Sequence, residues 1–248
     1  MGLFDKKYCD ICGGKIGLLG NKKLENGNLC KDCAAKLSPW FKERRHTTKE
    51  EIIEQLQYRE ANQSEVAQFR VSRSLGRGTK LLLDENSGKF MITSAKDLEK
   101  ANPDVLTFSQ VTGCDVSVDE NRSEIKRADK DGKQVSYNPP RYEYSYNFYV
   151  TVYVNHPYFD QMRFTVNNGA VNTGQRPVSA TAAGISASAN AAEYNECLAI
   201  ANEIKDTLTR AREATHAPKT AVTCPWCGAT TFPDAAGRCE YCGGSLNN

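Results

Sequence analysis

Tyr142-Glu-Tyr-Ser-Tyr-Asn-Phe-Tyr-Val-Thr-Val-Tyr-Val154 is the clearest strand pattern in the chain. Its even positions, Tyr142, Tyr144, Tyr146, Phe148, Val150, Val152 and Val154, are all aromatic or aliphatic, and its odd positions are mostly polar. Successive side chains of a strand point to opposite faces, so this alternation predicts a half-buried antiparallel strand with one face on a core. Asn155-His156-Pro157 supplies a turn, after which Met162 to Val166 pairs back. Upstream, Leu81-Leu82-Leu83 and Lys89-Phe90-Met91-Ile92 flank Asp84-Glu85-Asn86-Ser87-Gly88, which reads as a hairpin turn. Val105 to Phe108 and Cys114 to Val118 read as one long or bent strand broken near Gly113. Glu124 to Ala128 is expected to continue it after another polar turn.

Residues 168–192 change composition abruptly, being rich in Ala, Gly, Ser and Thr with Arg176 as the only charge, and predict a flexible loop. Asn190-Ala-Ala-Glu193 then caps a final helix to about Glu213. Tyr194, Cys197, Ala201, Ile204, Leu208 and Ala211 recur in it at spacings of three and four, so one side closes against the sheet. On the N-terminal side, Thr47-Thr48-Lys49-Glu50-Glu51 reads as a capping box, a hydroxyl with a Glu three residues later, that starts a helix over roughly 48–62. That helix carries Ile52, Ile53, Leu56 and Arg59 among many charges, a narrow stripe that predicts a partly exposed connector.

The whole chain has 248 residues, 40% hydrophobic and 25% charged, with 32 Lys and Arg against 30 Asp and Glu for a net charge of +2. Collagen-like, wholly disordered and membrane-spanning classes are excluded by these values and by the lack of a run of roughly 18 apolar residues. The N-terminus lacks the apolar run of a secretory signal, and Lys6 stands where a myristoylation signal has Ser or Thr. A cytoplasmic location is expected, where disulfides rarely persist. The ten cysteines therefore need another use.

Eight of them are paired. Cys9-Asp-Ile-Cys12 and Cys30-Lys-Asp-Cys33 lie near the N-terminus, and Cys224-Pro-Trp-Cys227 and Cys239-Glu-Tyr-Cys242 near the C-terminus. A two-residue spacer lets both thiolates of a pair face one ion, and two pairs complete a tetrahedral four-sulfur shell. Two structural zinc ions are expected, held by Cys9, Cys12, Cys30 and Cys33 and by Cys224, Cys227, Cys239 and Cys242. Gly13, Gly228 and Gly243 follow three of the pairs, as a tight knuckle with positive φ requires. Cys33 is followed instead by Ala34-Ala35-Lys36-Leu37, so the second pair opens a short helix whose dipole favours thiolate. A knuckle, a hairpin around Gly20 to Gly27 and this helix make a treble-clef-like module; the C-terminal knuckles suit a zinc ribbon. A thioredoxin-type dithiol is disfavoured, because neither end has room for a βαβ unit. Cys114 and Cys197 are expected to be inert core residues. Neither end module is long enough for its own hydrophobic core, so chelation is expected to unfold both and leave the middle folded.

Two resemblances follow from these motifs. The antiparallel strands followed by one amphipathic helix resemble a bacterial pleckstrin-homology-like (PH-like) domain, a bent sheet barrel closed at one end by its C-terminal helix. Val105-Leu-Thr-Phe-Ser-Gln-Val111 is similar to the segment such domains carry after their first hairpin. The N-terminal stretch from Met1-Gly-Leu-Phe-Asp-Lys-Lys through Cys9-Asp-Ile-Cys12, Leu29-Cys-Lys-Asp-Cys33 and Leu37-Ser-Pro-Trp-Phe41 resembles a bacterial zinc-finger family known only as a domain of unknown function. That resemblance implies the ligands Cys9, Cys12, Cys30 and Cys33, a sheet-rich region downstream, and no activity.

The expected class is therefore α+β: an antiparallel PH-like barrel capped by a C-terminal helix and flanked by two zinc modules. The expected divisions are a treble-clef-like module at 1–46, a helical connector at 47–67, the sheet-plus-helix domain at 68–213 and a zinc ribbon at 219–248. No catalytic constellation is present: there is no Gly-x-Ser-x-Gly or His-Glu-x-x-His. Gly76-Arg-Gly-Thr-Lys80 lacks phosphate-loop spacing, and Asp129-Lys-Asp131-Gly132 meets Pro140 where a calcium loop needs Glu. No enzyme activity and no small-molecule substrate are expected. The expected role is a protein-interaction adaptor. Nucleic-acid binding by the zinc modules is the alternative, since residues 1–46 carry ten Lys or Arg against five Asp or Glu. Trp226, Phe232 and Tyr241 offer stacking surfaces, although in so small a module they are expected to pack over the metal. A lipid partner is not expected, because acidic side chains in the 84–88 loop would repel a lipid phosphate.

Overall fold

The computed structural model of the chain describes residues 6–174, 189–216, 221–233 and 237–246. It starts with two minimal hairpins, β1 (Lys7–Tyr8) with β2 (Lys15–Ile16) and β3 (Lys22–Lys23) with β4 (Asn28–Leu29). The short helix α1 (Lys31–Ala35) and the 20-residue helix α2 (Lys49–Gln68) follow. Next come β5 (Arg73–Leu75), β6 (Lys80–Asp84), β7 (Lys89–Thr93), the single-turn α3 (Leu98–Ala101) and β8 (Val105–Thr107). β9 (Val111–Ala128), β10 (Gln134–His156), β11 (Phe159–Thr165) and β12 (Val171–Asn172) precede the long helix α4 (Ala189–His216). A last hairpin, β13 (Val222–Thr223) with β14 (Thr230–Thr231), lies in the C-terminal module.

β5 to β8 pair in chain order as one antiparallel sheet; β10 is the centre of a second, flanked by β9 along its length and by β11 and β12 on its other edge. Inward residues of both sheets meet α4 in one core. Leu81, Leu83 and Phe90 come from the first sheet, Phe148, Val150, Val152 and Met162 from the second, and Cys197, Ala201, Ile204 and Leu208 from the helix. Tyr194 of α4 meets Tyr146 and Phe148 edge-on, with ring centroids 4.9 and 5.0 Å apart. The unbroken run Leu81-Leu82-Leu83 is buried throughout because the first sheet is covered on both faces. Leu82 and Met91 turn away from the main core to meet Val66 and Phe69 at the end of α2.

Several expectations change. The barrel does not close: the described strands form mostly antiparallel sheets, and the ladder stops where the 3-10 turn Phe108–Gln110 separates β8 from β9. The predicted polar turn near residues 119–123 is the middle of an unbroken β9. Asp119 pairs with Asn147 and Arg122 with Tyr144, and the true turn is Asp129 to Lys133. There the Asp129 carboxylate accepts from the amides of Asp131 and Lys133 at 3.0 and 2.9 Å. This outer hairpin is largely exposed on both faces, so it needs no apolar alternation. Cross-strand contacts support it instead: the Arg122 guanidinium lies 3.7 Å from the Tyr142 ring centroid, and Tyr146 donates to Glu120 at 2.9 Å. A register shift between Ser136 and Arg141 accommodates Pro139 and Pro140, which have no N–H for the ladder. Of the 168–192 loop, residues 175–188 lie outside the described residues; the remainder contains β12 and the start of α4, which begins at Ala189 rather than at an Asn190 cap. The 217–220 part of the C-terminal linker also lies outside them.

The largest difference concerns α2. The expected capping box forms, with Thr48 as cap and Glu51 reaching back, but the helix is no exposed connector. Gln55, Arg59 and Asn62 are buried on one face, at the spacing that places residues on successive turns of a helix. Arg59 Nη1 donates to Asp104 at 2.7 Å, with the two side chains only 6% and 0% exposed. Arg59 also donates to the carbonyls of Lys36, at 3.2 Å, and Asn102. Asp104 accepts a second bond from Ser38 Oγ at 2.8 Å, and the Gln55 side chain accepts from the Ser38 amide at 3.4 Å. Asn62 donates to Asn102 Oδ1 and the Pro103 carbonyl and accepts from the Val105 amide at 3.0 Å. Burial pushes the Asp104 carboxyl up, while Arg59 and Ser38 pull it back. A polar lattice thus joins the end of the N-terminal module, α2 and the turn before β8. Trp40 packs on the main core and Phe41 on the N-terminal cluster, so Leu37-Ser-Pro-Trp-Phe41 bridges the two.

His156 closes the other side of α2. Its Nε2 shares a 2.9 Å hydrogen bond with Tyr58 Oη, and its ring stacks on Phe159 at 4.0 Å. Burial, helped by the Arg59 charge, lowers its pKa from 6.5 to about 4. A histidine held neutral in the fold contributes stability that is complete above its unfolded pKa and is lost as pH falls from about 6.5 to about 4. His156 is partly exposed, which moderates the size of the effect. We expect His156→Phe to lose less stability than the parent chain between pH 7 and pH 4.5 in urea denaturation. Equal pH slopes for the two would contradict this.

Candidate metal centres

Each end of the chain brings four cysteines together. The sulfurs of Cys9, Cys12, Cys30 and Cys33 lie within 4.8 Å of one another, as do those of Cys224, Cys227, Cys239 and Cys242. The spacing has chemical content. A disulfide requires about 2.05 Å, whereas the Cys12–Cys30, Cys224–Cys242 and Cys227–Cys239 separations are 3.8, 3.6 and 3.7 Å. Four thiolates at about 2.3 Å from a central ion sit about 3.8 Å apart along the edges of a tetrahedron. Both clusters therefore have the donor set and dimensions of a tetrahedral zinc site, and each can bind one metal ion.

Three of the pairs share one backbone device. Gly13, Gly228 and Gly243 have φ of +69°, +74° and +69°, which a side chain would strain. In each, the glycine amide bonds back to the first cysteine carbonyl at 2.8, 2.9 and 2.8 Å. The amides of Cys9, Cys224 and Cys239 donate in turn to the carbonyls of Gly14, Ala229 and Gly244 at 2.8, 2.8 and 2.9 Å. The fourth pair is built differently, as its lack of glycine predicts. Cys30 caps α1, its sulfur accepting from the Cys33 amide at 3.3 Å, and the Cys30 amide donates to Cys9 Sγ at 3.3 Å.

These donors set the electrostatics. Burial would raise the Cys9 thiol, but the amides of Cys12, Cys30 and Ile11 outweigh it and bring the pKa to about 6. Burial likewise opposes Cys224, which the amides of Cys227 and Trp226 bring down to about 7. Cys33 is pushed up by burial and then by the neighbouring sulfurs. For Cys242 the Gly244 amide pulls down, yet the Cys227 thiol and its neighbours push the value up to about 12. Four thiols this close cannot all ionise unaided; a divalent cation relieves that conflict by accepting all four. Cys114 and Cys197 lie elsewhere, buried in the main core, and burial raises both thiols, Cys114 to about 12.

Local packing differs between the two modules. Leu24, Leu29 and Leu37 form a small cluster with Ile16 over the first site, and Ile52 of α2 completes it. In the second module the aromatic residues do not pack away as expected: Trp226 and Tyr241 are 74% and 72% exposed, and Phe232 is also exposed. Trp226 and Tyr241 occupy the residue before the second cysteine of each knuckle, pointing outward. The exposed pair Leu18 and Leu19 carried no signal in the sequence, because two isolated apolar residues define no period.

Two four-cysteine modules flanking a mixed helix-and-sheet region define the class of chain. Within it, residues 7–55 match a family described as "Domain of unknown function (DUF4428)". The match covers about a fifth of the chain and includes all four cysteines of the first site together with the first turns of α2. No curated protein and no solved structure gives a significant match.

Proposed function

We propose that the chain is a non-enzymatic adaptor that docks another protein, with two structural zinc ions shaping its end modules. The observation that carries this reading is the exposed aromatic pair of the C-terminal module. Trp226 Nε1 donates to the Ser245 carbonyl at 3.1 Å, and its ring lies so close to Gly244 that a Cβ there would be 2.5 Å from Cδ1. The ring is held in place yet 74% exposed. A fixed Trp side chain loses little entropy on binding, and Trp and Tyr are enriched at protein interfaces. Residues 219–248 carry Lys219 and Arg238 against Asp234 and Glu240, a neutral balance that gives a polyanion little to hold. A shell of four thiolates leaves no coordination position for water, which supports structural rather than catalytic metal.

In this reading residues 1–46 are a treble-clef-like module, 47–67 a connector, 68–213 a PH-like domain and 219–248 a zinc ribbon, working in the cytoplasm. The order of two antiparallel four-stranded sheets, then a closing helix, supports the PH-like assignment. The 84–88 loop supports no lipid-phosphate site. Asp84 accepts from the Arg70 and Ser87 amides, and Lys89 is paired with Glu65 at 2.5 Å. No described helix is long and apolar enough to cross a membrane. The nucleic-acid alternative draws on the Lys and Arg excess of residues 1–46.

Capture with the tagged full chain, before and after nuclease treatment, tests the reading. A protein partner that survives nuclease and is lost with Trp226→Ala/Tyr241→Ala is expected. Loss of every partner on nuclease treatment would favour the nucleic-acid alternative.

A further inference from the structure

The turn Gly17-Leu18-Leu19-Gly20 is closed by a 2.9 Å bond from the Gly20 amide to the Gly17 carbonyl. Its two central side chains are 84% and 88% exposed, the most exposed of the large hydrophobic residues described. Turn corners ordinarily take Gly, Asn, Asp, Pro or Ser, and nothing in the fold uses leucine here. The cluster beneath is built from Ile16, Leu24, Leu29 and Leu37 instead. Beside the turn lies a cleft of about 310 Å³, formed by residues 15–20 with Cys30, Lys31 and Asp32. Lys15 and Lys31 stand on its walls, and Lys22 and Lys23 follow the turn in β3. None of these four lysines makes an ion pair among the described residues.

We infer that the Gly17–Gly20 turn and its cleft dock an acidic segment of a partner protein that carries an apolar anchor, a proposal that rests on the adaptor reading above. Lys15 and Lys31 beside two exposed leucines complement a segment with both features. A protruding leucine pair offers a nucleic acid neither a stacking plane nor a phosphate donor. A bilayer surface would take the leucines but would leave the cleft unfilled. A peptide fills the cleft and brings its own carboxylates to Lys15 and Lys31.

The test uses the zinc-loaded full chain, ¹⁵N-labelled, and a pool of fluorescent 12-residue peptides with Leu, Phe or Trp at the centre and Asp or Glu on both sides. A matched pool with Lys and Arg flanks is the control. The acidic pool is expected to bind, to shift amides at Gly17 to Gly20 and Lys31, and to weaken with added salt. Leu18→Ser/Leu19→Ser should weaken it at least about ten-fold, since burying even one leucine is worth that much. Zinc content and thermal midpoint should stay unchanged, because neither side chain is in a core. Lys15→Gln/Lys31→Gln should weaken binding and flatten its salt dependence. No binding by the acidic pool, shifts confined to another surface, or capture by phosphatidylserine vesicles through the leucines would each overturn the proposal. Binding of the acidic pool retained equally by the parent chain and Leu18→Ser/Leu19→Ser would overturn this site and leave the adaptor reading standing. Failure of the adaptor reading shows differently, as no nuclease-resistant partner for the parent chain.

Discussion

Stripping metal from the full chain is expected to unfold both end modules, with different consequences for the body. Metal binding at four-thiolate sites contributes on the order of 10–16 kcal/mol of apparent free energy, which neither module can replace with apolar burial. None of the three hydrophobic clusters includes a residue of the C-terminal module, so its loss leaves them intact. The N-terminal site is coupled to the body, because its cluster includes Ile52 and packs Leu56 of α2. Hydrogen exchange should therefore show Cys224→Ser losing protection only within 221–246. Cys33→Ser should lose it across 7–37 and also along α2. This revises the expectation that chelation leaves the middle untouched. Identical exchange patterns for the two variants would contradict the coupling.

Asp104→Ala is expected to destabilise the chain by about 3–5 kcal/mol, the usual cost of leaving one member of a buried ion pair uncompensated. Arg59 would retain only carbonyl partners, those of Lys36 and Asn102, for a charge almost completely out of water. Ser38 Oγ would lose its acceptor as well. Replacing both charges, as in Arg59→Met/Asp104→Leu, should recover much of the loss, since apolar packing commonly substitutes for a buried pair. Urea denaturation of the three variants measures this. A cost below about 1 kcal/mol for Asp104→Ala would place the pair in water, against the burial of both side chains.

How far each feature is legible depends on where its partners lie. The inward face of β10 is readable from Tyr146 to Val154, because burying one face imposes a period of two; the alternation runs on to Tyr142, which lies outside the core against Arg122. Asp119 to Ser123 carries no such period, since the outer hairpin is exposed on both faces and held by cross-strand partners some twenty to thirty residues away. The α2 face misleads for a related reason. Gln55, Arg59 and Asn62 look like solvated positions until Asn102 and Asp104 are brought against them, and no local pattern announces a polar face that is buried. The cysteine sites are the opposite case: paired spacing and the following glycine specify the knuckles locally, so the chemistry is visible before any fold is known. Trp226 and Tyr241 are legible as aromatic residues, but whether they pack over the metal or stay exposed is not, because exposure depends on what the short knuckle leaves uncovered.

Eight cysteines acting as two closed zinc sites are the centre of this reading of the chain. Metal analysis by mass spectrometry on the purified chain, paired with thiol counting after chelation, tests that directly. The prediction is two zinc ions per chain, ten free thiols once the metal is removed, and one zinc ion in either Cys33→Ser or Cys224→Ser. Fewer than two zinc ions in the parent chain, or disulfides among these eight residues, would contradict it.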